Sequence, residues 1–220
     1  MDFTLNDEQT EIRGLARQIL SDRMNLGHLR ALDDSVDWFD RDTWAELAKA
    51  NLLGIALPES VGGLGYGFLE LCLLLEEQGR AVAPMPLLHT LVTVGETVNR
   101  FGSEAQRAAL APIVAGEMVV TAALSELGTP FDEPMTTATA AGSEWKLDGK
   151  KVCVPMAQAA DRVLVPARVG EDVGMFLVAG PARRDDRPAG HHQPRTAVRD
   201  APERRDRRRL ESHRRDRRWP

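Results

Sequence analysis

The sequence is poor in cysteine, histidine and aromatic residues. Its two cysteines, Cys72 and Cys153, are too few for a disulfide framework, and neither has a histidine at the spacing of metal ligands. The five histidines form no pattern with serine, cysteine or acidic residues that would indicate a nucleophilic triad. The sequence therefore predicts reduced, buried thiols, no metal site, and no catalytic residue that can be identified by its type alone.

Long apolar runs are also absent. No segment approaches the roughly 20 apolar residues that a membrane-spanning helix needs. The first residues are acidic rather than basic, unlike those of a secretory signal. We therefore expect a cytoplasmic protein that has no membrane partner.

Charge is distributed unevenly along the chain. The net charge of −5 combines residues 1–180, with 14 basic and 26 acidic residues, and residues 181–220, with 14 arginines and 7 acidic residues. A composition break of this size indicates a boundary near Gly180. One interpretation of the second segment is a disordered arginine-rich arm that binds nucleic acid or another acidic surface.

Helical patterns fill the first half of the chain. Residues 6–9 form a capping box ahead of apolar residues at helical spacing, and residues 103–106 form a second one. Residues 68–78 are apolar on almost every side, which is typical of a helix buried inside a bundle. The glycine-rich segment 62–67 follows no strand and precedes no Lys-Ser or Lys-Thr pair, so it predicts a tight connector rather than a phosphate-binding loop.

Strand patterns follow the helices. Met118 begins a buried apolar run, and Asp148–Gly149 is typical of a tight hairpin turn between two short strands. The predicted strands cover residues 118–124, 145–147, 152–154, 162–165 and 175–178, and residues 135–141 are rich in threonine and alanine. A run of helices before a run of strands favours an α+β protein, with an all-α domain over 1–117 and a β domain over 118–180.

Several blocks, in order, resemble acyl-CoA dehydrogenases. Ala123–Glu126 is similar to that family's Ala-Leu-Thr-Glu strand, and the segment 147–151 resembles the hairpin beyond it. The other matching blocks are residues 1–13, 54–59 with 62–65, 76–84, 101–106 with 110–117, and 160–168. The resemblance covers residues 1 to about 180.

The resemblance implies a helical bundle followed by an antiparallel β-barrel, here incomplete, and then a C-terminal helical domain that supplies the catalytic base. It implies that FAD is the cofactor and that the reaction is the α,β-dehydrogenation of an acyl-CoA thioester. An electron-transfer flavoprotein or similar acceptor would receive the electrons, and the intact protein would be a homo- or hetero-oligomer. The protein would act in fatty acid or steroid side-chain metabolism.

Six residues carry the site that the resemblance implies. Leu124 and Ser125 would contact the flavin ring, with Ser125 in place of the usual threonine and its hydroxyl donor kept. The second flavin-facing strand usually reads Trp-x-Thr, whereas here it reads Cys153-Val154-Pro155. Phe131 stands where many members place a serine near the substrate. These departures indicate a divergent branch that takes bulky acyl groups, or a non-catalytic partner subunit; a related flavin oxidase or monooxygenase is the third alternative.

The segment after Gly180 has a second interpretation besides a basic arm. If GC-rich codons for residues 191–214 are read one nucleotide later, a permitted choice yields alternating apolar and polar residues, with Thr-Thr-x-Arg-Glu-Pro and Gly-Val-x-Val pieces that resemble the family's next segment. This interpretation makes 181–220 a frameshifted tail and the chain truncated. We then expect nucleic acid not to be a partner, FAD to bind poorly, and this polypeptide alone to lack dehydrogenase activity.

Overall fold

The structure is a computed structural model that describes residues 4–35, 38–142 and 144–180, together with the backbone of 196–198. Helices come first and a sheet follows, so the predicted α+β order is confirmed. The described α-helices are α1 (Asp7–Arg23), α2 (Leu26–Asp33), α3 (Arg41–Lys49), α4 (Phe68–Arg80), α5 (Thr97–Phe101), α6 (Glu104–Ala108) and α7 (Ala111–Val114). A π-helix, Leu88–Glu96, runs directly into α5. In the part of the chain described, no helix is both long and apolar enough to cross a membrane.

Helices α1 and α4 are joined by an ion pair whose carboxylate is buried. Glu77, whose side chain is 1% exposed, accepts hydrogen bonds from Arg17 Nε at 3.0 Å and Nη2 at 2.7 Å. Arg80 approaches the same carboxylate at 3.2 Å. The predicted capping box of α1 is present, with the Gln9 amide donating to Asn6 Oδ1 at 2.8 Å. Helix α1 is therefore fixed both at its start and along its length.

Helix α4 is buried on one face rather than on all sides. Leu71, Leu73 and Leu74 lie in the core, but Phe68 is 60% exposed and Leu69 is 51% exposed. The prediction of a helix surrounded by other helices is wrong at its first turn. Apolar composition alone does not locate the buried face, which tertiary contacts select.

The glycine-rich segment before α4 is a connector, as predicted. Its backbone turns back on the preceding short 3-10 helix and turn, with amides of Leu64 and Gly65 donating to the carbonyls of Gly54 and Leu57 at 2.9 Å. Gly63 lies against those carbonyls, and a Cβ at this position would be 2.2 Å from the Leu57 oxygen. A side chain is excluded there by close backbone packing.

The helices and the sheet are joined by polar contacts from side chains to backbone. Thr90, in the π-helix, donates its hydroxyl to the Val120 carbonyl at 2.6 Å. The Val119 amide donates to Asp161 Oδ2 at 2.9 Å, which links the start of the first strand to the start of a later one. Both contacts lie beside a continuous apolar core that extends from α1 to the sheet.

The sheet is mixed in direction. Its strands are β1 (Val120–Ala122), β2 (Thr137–Ala141), β3 (Glu144–Asp148), β4 (Arg162–Val169), β5 (Asp172–Ala179) and β6 (Thr196–Val198), in the order β1-β4-β2-β3-β6, with β5 on β4. The β2–β3, β3–β6 and β4–β5 pairs are antiparallel, as expected. The β1–β4 and β2–β4 pairs are parallel, which differs from the purely antiparallel expectation.

The hairpin predicted at Asp148–Gly149 is elsewhere. Strands β2 and β3 pair over a turn that contains Gly142, whose φ of +68° suits the left-handed region that glycine favours. Asp148 ends β3, and Gly149 then lies against Thr136, at the start of β2. A Cβ at Gly149 would be 2.3 Å from Thr136 Oγ1. This glycine is required by close packing rather than by a turn.

The arginine-rich segment lies almost entirely outside the described residues. The exception is the backbone of β6, which pairs antiparallel with Trp145–Leu147 of β3. The predictions that 181–220 is disordered or out of frame, and the boundaries at 117 and 180, remain predictions.

Replacing Gly63 by alanine tests the close packing of the connector. We expect Gly63→Ala to lower the free energy of unfolding by about 2 kcal/mol or more, because the new methyl group overlaps two backbone carbonyls. The matched control is Gly14→Ala in α1, where no atom lies within 4 Å, and this change should stabilise the helix by about 0.5–1 kcal/mol. Urea denaturation of both variants measures the difference, and equal stability of Gly63→Ala and the wild type would contradict the packing.

Candidate functional site

Three chain segments meet beside the middle of β4, where its pairing with β1 ends at Leu164 and its pairing with β2 begins at Arg168. Residues 124–126 follow β1, residues 134–136 precede β2, and residues 151–155 lie between β3 and β4. The Val152 amide donates to the Ser125 carbonyl at 2.9 Å, forming an isolated antiparallel bridge. The Thr121 hydroxyl donates to the Pro155 carbonyl at 2.7 Å. The structure thus brings the two predicted flavin-facing segments side by side, and we call this place the rim.

A buried carboxylate holds the rim together. Glu126 has a side chain that is 3% exposed, and it accepts hydrogen bonds from the Met135 amide at 2.7 Å, the Thr136 amide at 3.0 Å and the Thr136 hydroxyl at 2.6 Å. Lys151 Nζ lies 2.7 Å from Glu126 Oε1, and that side chain is 8% exposed. One carboxylate therefore connects all three segments.

The pKa of Glu126 follows from these contacts. Burial alone would raise the pKa of this carboxyl, because a charge is costly in a poorly solvated place. The Lys151 ammonium, 2.7 Å away, and hydrogen bonds from Thr136 and from the Met135 amide act in the other direction and prevail, so the pKa of Glu126 falls from 4.5 to about 2. Glu126 is therefore an anion whose role is structural, not a general base poised near neutral pH.

The residues next to Glu126 face outward. Ser125 is exposed, and among the residues that the structure describes its hydroxyl has no hydrogen-bond partner. Leu124 is half-buried and packs against the main apolar core. A free hydroxyl beside an apolar side chain, both on a fixed backbone, can contact a flat ligand that has polar groups at its edge.

The second rim segment has an irregular backbone. Cys153 is exposed and has a φ of +53°, a value that is uncommon for residues other than glycine. Val154 is half-buried against the core beneath the sheet, and Pro155 offers no amide donor while its carbonyl is occupied by Thr121. The expectation of buried thiols is wrong at Cys153, because this left-handed residue turns its side chain to solvent, and Cys72 is half-buried.

Phe131 lies on the loop that joins rim residues 124–126 to rim residues 134–136. It is 70% exposed, and two other apolar side chains of the same stretch, Leu127 and Met135, are 71% and 56% exposed. Isolated exposed apolar residues are ordinary, but three within residues 127–135, the stretch that follows Ser125 and Glu126, form a local concentration. Its role near a substrate remains a prediction.

Glu126 and Lys151 are the site residues that sequence reasoning missed. Glu126 stands directly after the predicted contact Ser125, and Lys151 stands directly before the second segment, so both were in view as ordinary charges. The available signal was a charged residue at the end of each of two apolar segments. Among the residues that the structure describes, no cluster of three or more His, Cys, Asp or Glu side chains could hold a metal ion.

The depressed pKa of Glu126 predicts how stability changes in acid. A carboxyl with a pKa near 2 when folded and 4.5 when unfolded stabilises the fold above pH 4.5, and this contribution disappears as the pH falls through 4.5 to about 2. Glu126→Gln cannot titrate, so the stability difference between wild type and variant should narrow by about 3 kcal/mol over that interval.

Chemical denaturation at a series of pH values measures this change. Glu133→Gln, an exposed carboxylate on the neighbouring loop, is the control and should run parallel to the wild type. If the curve of Glu126→Gln also runs parallel to the wild type across the acid range, Glu126 is not the buried, hydrogen-bonded anion described here.

The chain is similar to known proteins in sequence and in fold. Residues 6–117 match the family model "Acyl-CoA dehydrogenase, N-terminal domain". Acyl-CoA dehydrogenase FadE27 of Mycobacterium tuberculosis is 35% identical over 181 residues, which is 81% of this chain and 48% of that protein. The chain spans about half the length of the curated relatives it matches.

Two solved structures share the fold over the same region. The "Tcur3481-Tcur3483 steroid ACAD G363A variant" has a TM-score of 0.75 and 45% sequence identity, with 80% of this chain and 49% of that chain covered. The ChsE4-ChsE5 complex from Mycobacterium tuberculosis has a TM-score of 0.74 and 35% identity, with 81% and 49% covered. Since the family model covers more than half of the residues, this chain belongs to the acyl-CoA dehydrogenase family.

Proposed function

We propose that this chain contributes the flavin-facing rim of an enzyme that dehydrogenates an acyl-CoA between its α and β carbons. The observation that carries the proposal is the exposed Ser125 hydroxyl. It has no hydrogen-bond partner among the described residues, and it stands on a backbone fixed by Glu126. A free donor at a rigid edge, beside the apolar Leu124, fits the polar edge and apolar face of an isoalloxazine ring.

The residues of the rim have distinct roles in this proposal. Ser125 donates a hydrogen bond to the ring edge, while Leu124 and Val154 provide apolar contact. Cys153 takes the place of an aromatic wall, and Pro155 cannot donate, so the second segment orients the ring by shape alone. FAD, when bound, supplies the hydride acceptor. We assign no catalytic base to this chain, and the electron acceptor we propose is an electron-transfer flavoprotein or a similar protein.

A bulky acyl group is the substrate class that we favour. The solved relative with 45% identity is called a steroid ACAD, which supports a steroid side chain over a short fatty acyl group. The exposed apolar loop with Phe131 would lie beside such a substrate. Cytoplasmic location is part of the same proposal.

A second candidate function is that of a partner subunit without its own turnover. Both solved relatives are named as pairs of proteins, Tcur3481-Tcur3483 and ChsE4-ChsE5. The second rim segment has neither the aromatic residue nor the hydroxyl that the family usually has there. Co-expression with one defined second acyl-CoA dehydrogenase chain, followed by size-exclusion chromatography, distinguishes the two: turnover that arises only in a stable two-chain complex favours the partner role.

Replacing Ser125 tests the flavin contact. We expect Ser125→Ala to weaken FAD binding about fivefold to tenfold, because one hydrogen bond of about 1–1.5 kcal/mol is lost. Ser125→Thr keeps the hydroxyl and should bind as the wild type does. Titration of the full chain with FAD, followed by flavin fluorescence, measures the affinity, which we expect to be weak.

The same preparations should show no turnover of an acyl-CoA. Visible flavin absorbance that persists through purification together with turnover would contradict the inactive chain. Equal FAD affinity of Ser125→Ala and the wild type would contradict the role of the hydroxyl.

A further inference from the structure

We propose that Glu126 and Lys151 are positioning residues that set the register of the two rim segments and so place Ser125 against the flavin. The inference rests on the proposed function, because it explains how the same rim is held in a shape that accepts the ring. Neither residue touches the ligand, and each acts through its neighbour in sequence.

The register of the bridge makes the two residues partners. Ser125 pairs antiparallel with Val152, so Glu126 lies opposite Lys151 in the next pair along the two segments. On the other side of the bridge, the same register sets Leu124 opposite Cys153. The ion pair and the candidate flavin contacts are therefore adjacent rungs of one short ladder, and a shift of one residue would separate both.

A bridge of one hydrogen bond does not specify a register by itself. The backbone pairing consists of one hydrogen bond, from the Val152 amide to the Ser125 carbonyl, and two side-chain contacts add to it: the 2.7 Å ion pair and the Thr121 hydroxyl on the Pro155 carbonyl. Glu126 also accepts from Met135 and Thr136, so the carboxylate is itself fixed before it meets Lys151. The lysine is thereby directed to one place, and the backbone at 151–153 follows it.

Burial makes the ion pair selective. Both charged side chains are less than one-tenth exposed; among the described residues the Lys151 ammonium has no hydrogen-bond partner, and its counter-charge is Glu126 at 2.7 Å. Any other register would leave a buried charge without a counter-charge, which is strongly unfavourable. The pair thus contributes specificity for one arrangement more than net stability, in contrast to Arg17–Glu77, where the arginine is 47% exposed.

The experiment compares the full-length variants Glu126→Gln, Lys151→Met and Glu126→Gln/Lys151→Met with the wild type. The double variant removes both charges and should fold even if a single variant does not, since no uncompensated charge remains. Glu77→Gln is the matched control, because it removes another buried carboxylate from its ion pair, in the helical part and away from the rim. Two quantities are measured in each folded protein: hydrogen exchange of the Val152 amide and affinity for FAD.

We expect the double variant to exchange the Val152 amide roughly tenfold faster and to bind FAD roughly tenfold more weakly, because a displaced contact group loses much of its effect. Glu77→Gln should lower global stability and leave both quantities, measured under folding conditions, unchanged. A double variant with wild-type Val152 exchange overturns the register role. Faster exchange with unchanged FAD affinity overturns the positioning role.

The two proposals fail in different ways. If the wild type itself binds no FAD, the proposed function fails, and with it the link from rim to flavin, whereas the exchange of the Val152 amide still decides whether Glu126 and Lys151 set the register. If the wild type binds FAD and the double variant matches the wild type in both Val152 amide exchange and FAD affinity, the proposed function stands and the inference is rejected.

Discussion

A single carboxylate, that of Glu126, joins three chain segments, because it accepts hydrogen bonds from Met135 and Thr136 and forms an ion pair with Lys151. Removing a charge from water is costly, and here the cost is offset by two backbone amides, one hydroxyl and one ammonium around it. The three rim segments have this arrangement because two amides, one hydroxyl and one ammonium converge on the Glu126 carboxylate. The outward position of Ser125 follows from the inward position of its neighbour, since successive residues of an extended chain point to opposite sides.

The rim depends in turn on how the sheet is attached to the helices. Thr90 donates to β1 from the π-helix, and Asp161 joins the starts of β1 and β4. These contacts fix β1, the strand that residues 124–126 follow, so the helical part acts as a frame for the site. A π-helix is an uncommon form that frequently occurs at functional sites. Here a hydroxyl of the π-helix, that of Thr90, donates to Val120 of the strand that leads into the rim.

The sequence predicted the order of helices and strands, both capping boxes and the connector at 62–67, because each depends on neighbours within a few residues. It did not predict which face of α4 is buried or where the hairpin lies, since Phe68 and Gly149 are decided by contacts with distant segments. The resemblance to a family predicted Leu124 and Ser125 as flavin contacts. The pairing of Ser125 with Val152 is visible only in the structure. Glu126 and Lys151 could not be paired from sequence, because antiparallel register is a property of the folded chain.

The left-handed backbone at Cys153 limits how this rim can change. A φ of +53° is tolerated by glycine or asparagine at little cost, but a large or β-branched side chain is strained there. Restoring the aromatic residue that the family usually has would therefore require the peptide to rotate, and not merely one codon to change. Protein engineers who wish to convert this rim into an ordinary one would have to rebuild residues 151–156 as a unit, including the second left-handed residue, Met156.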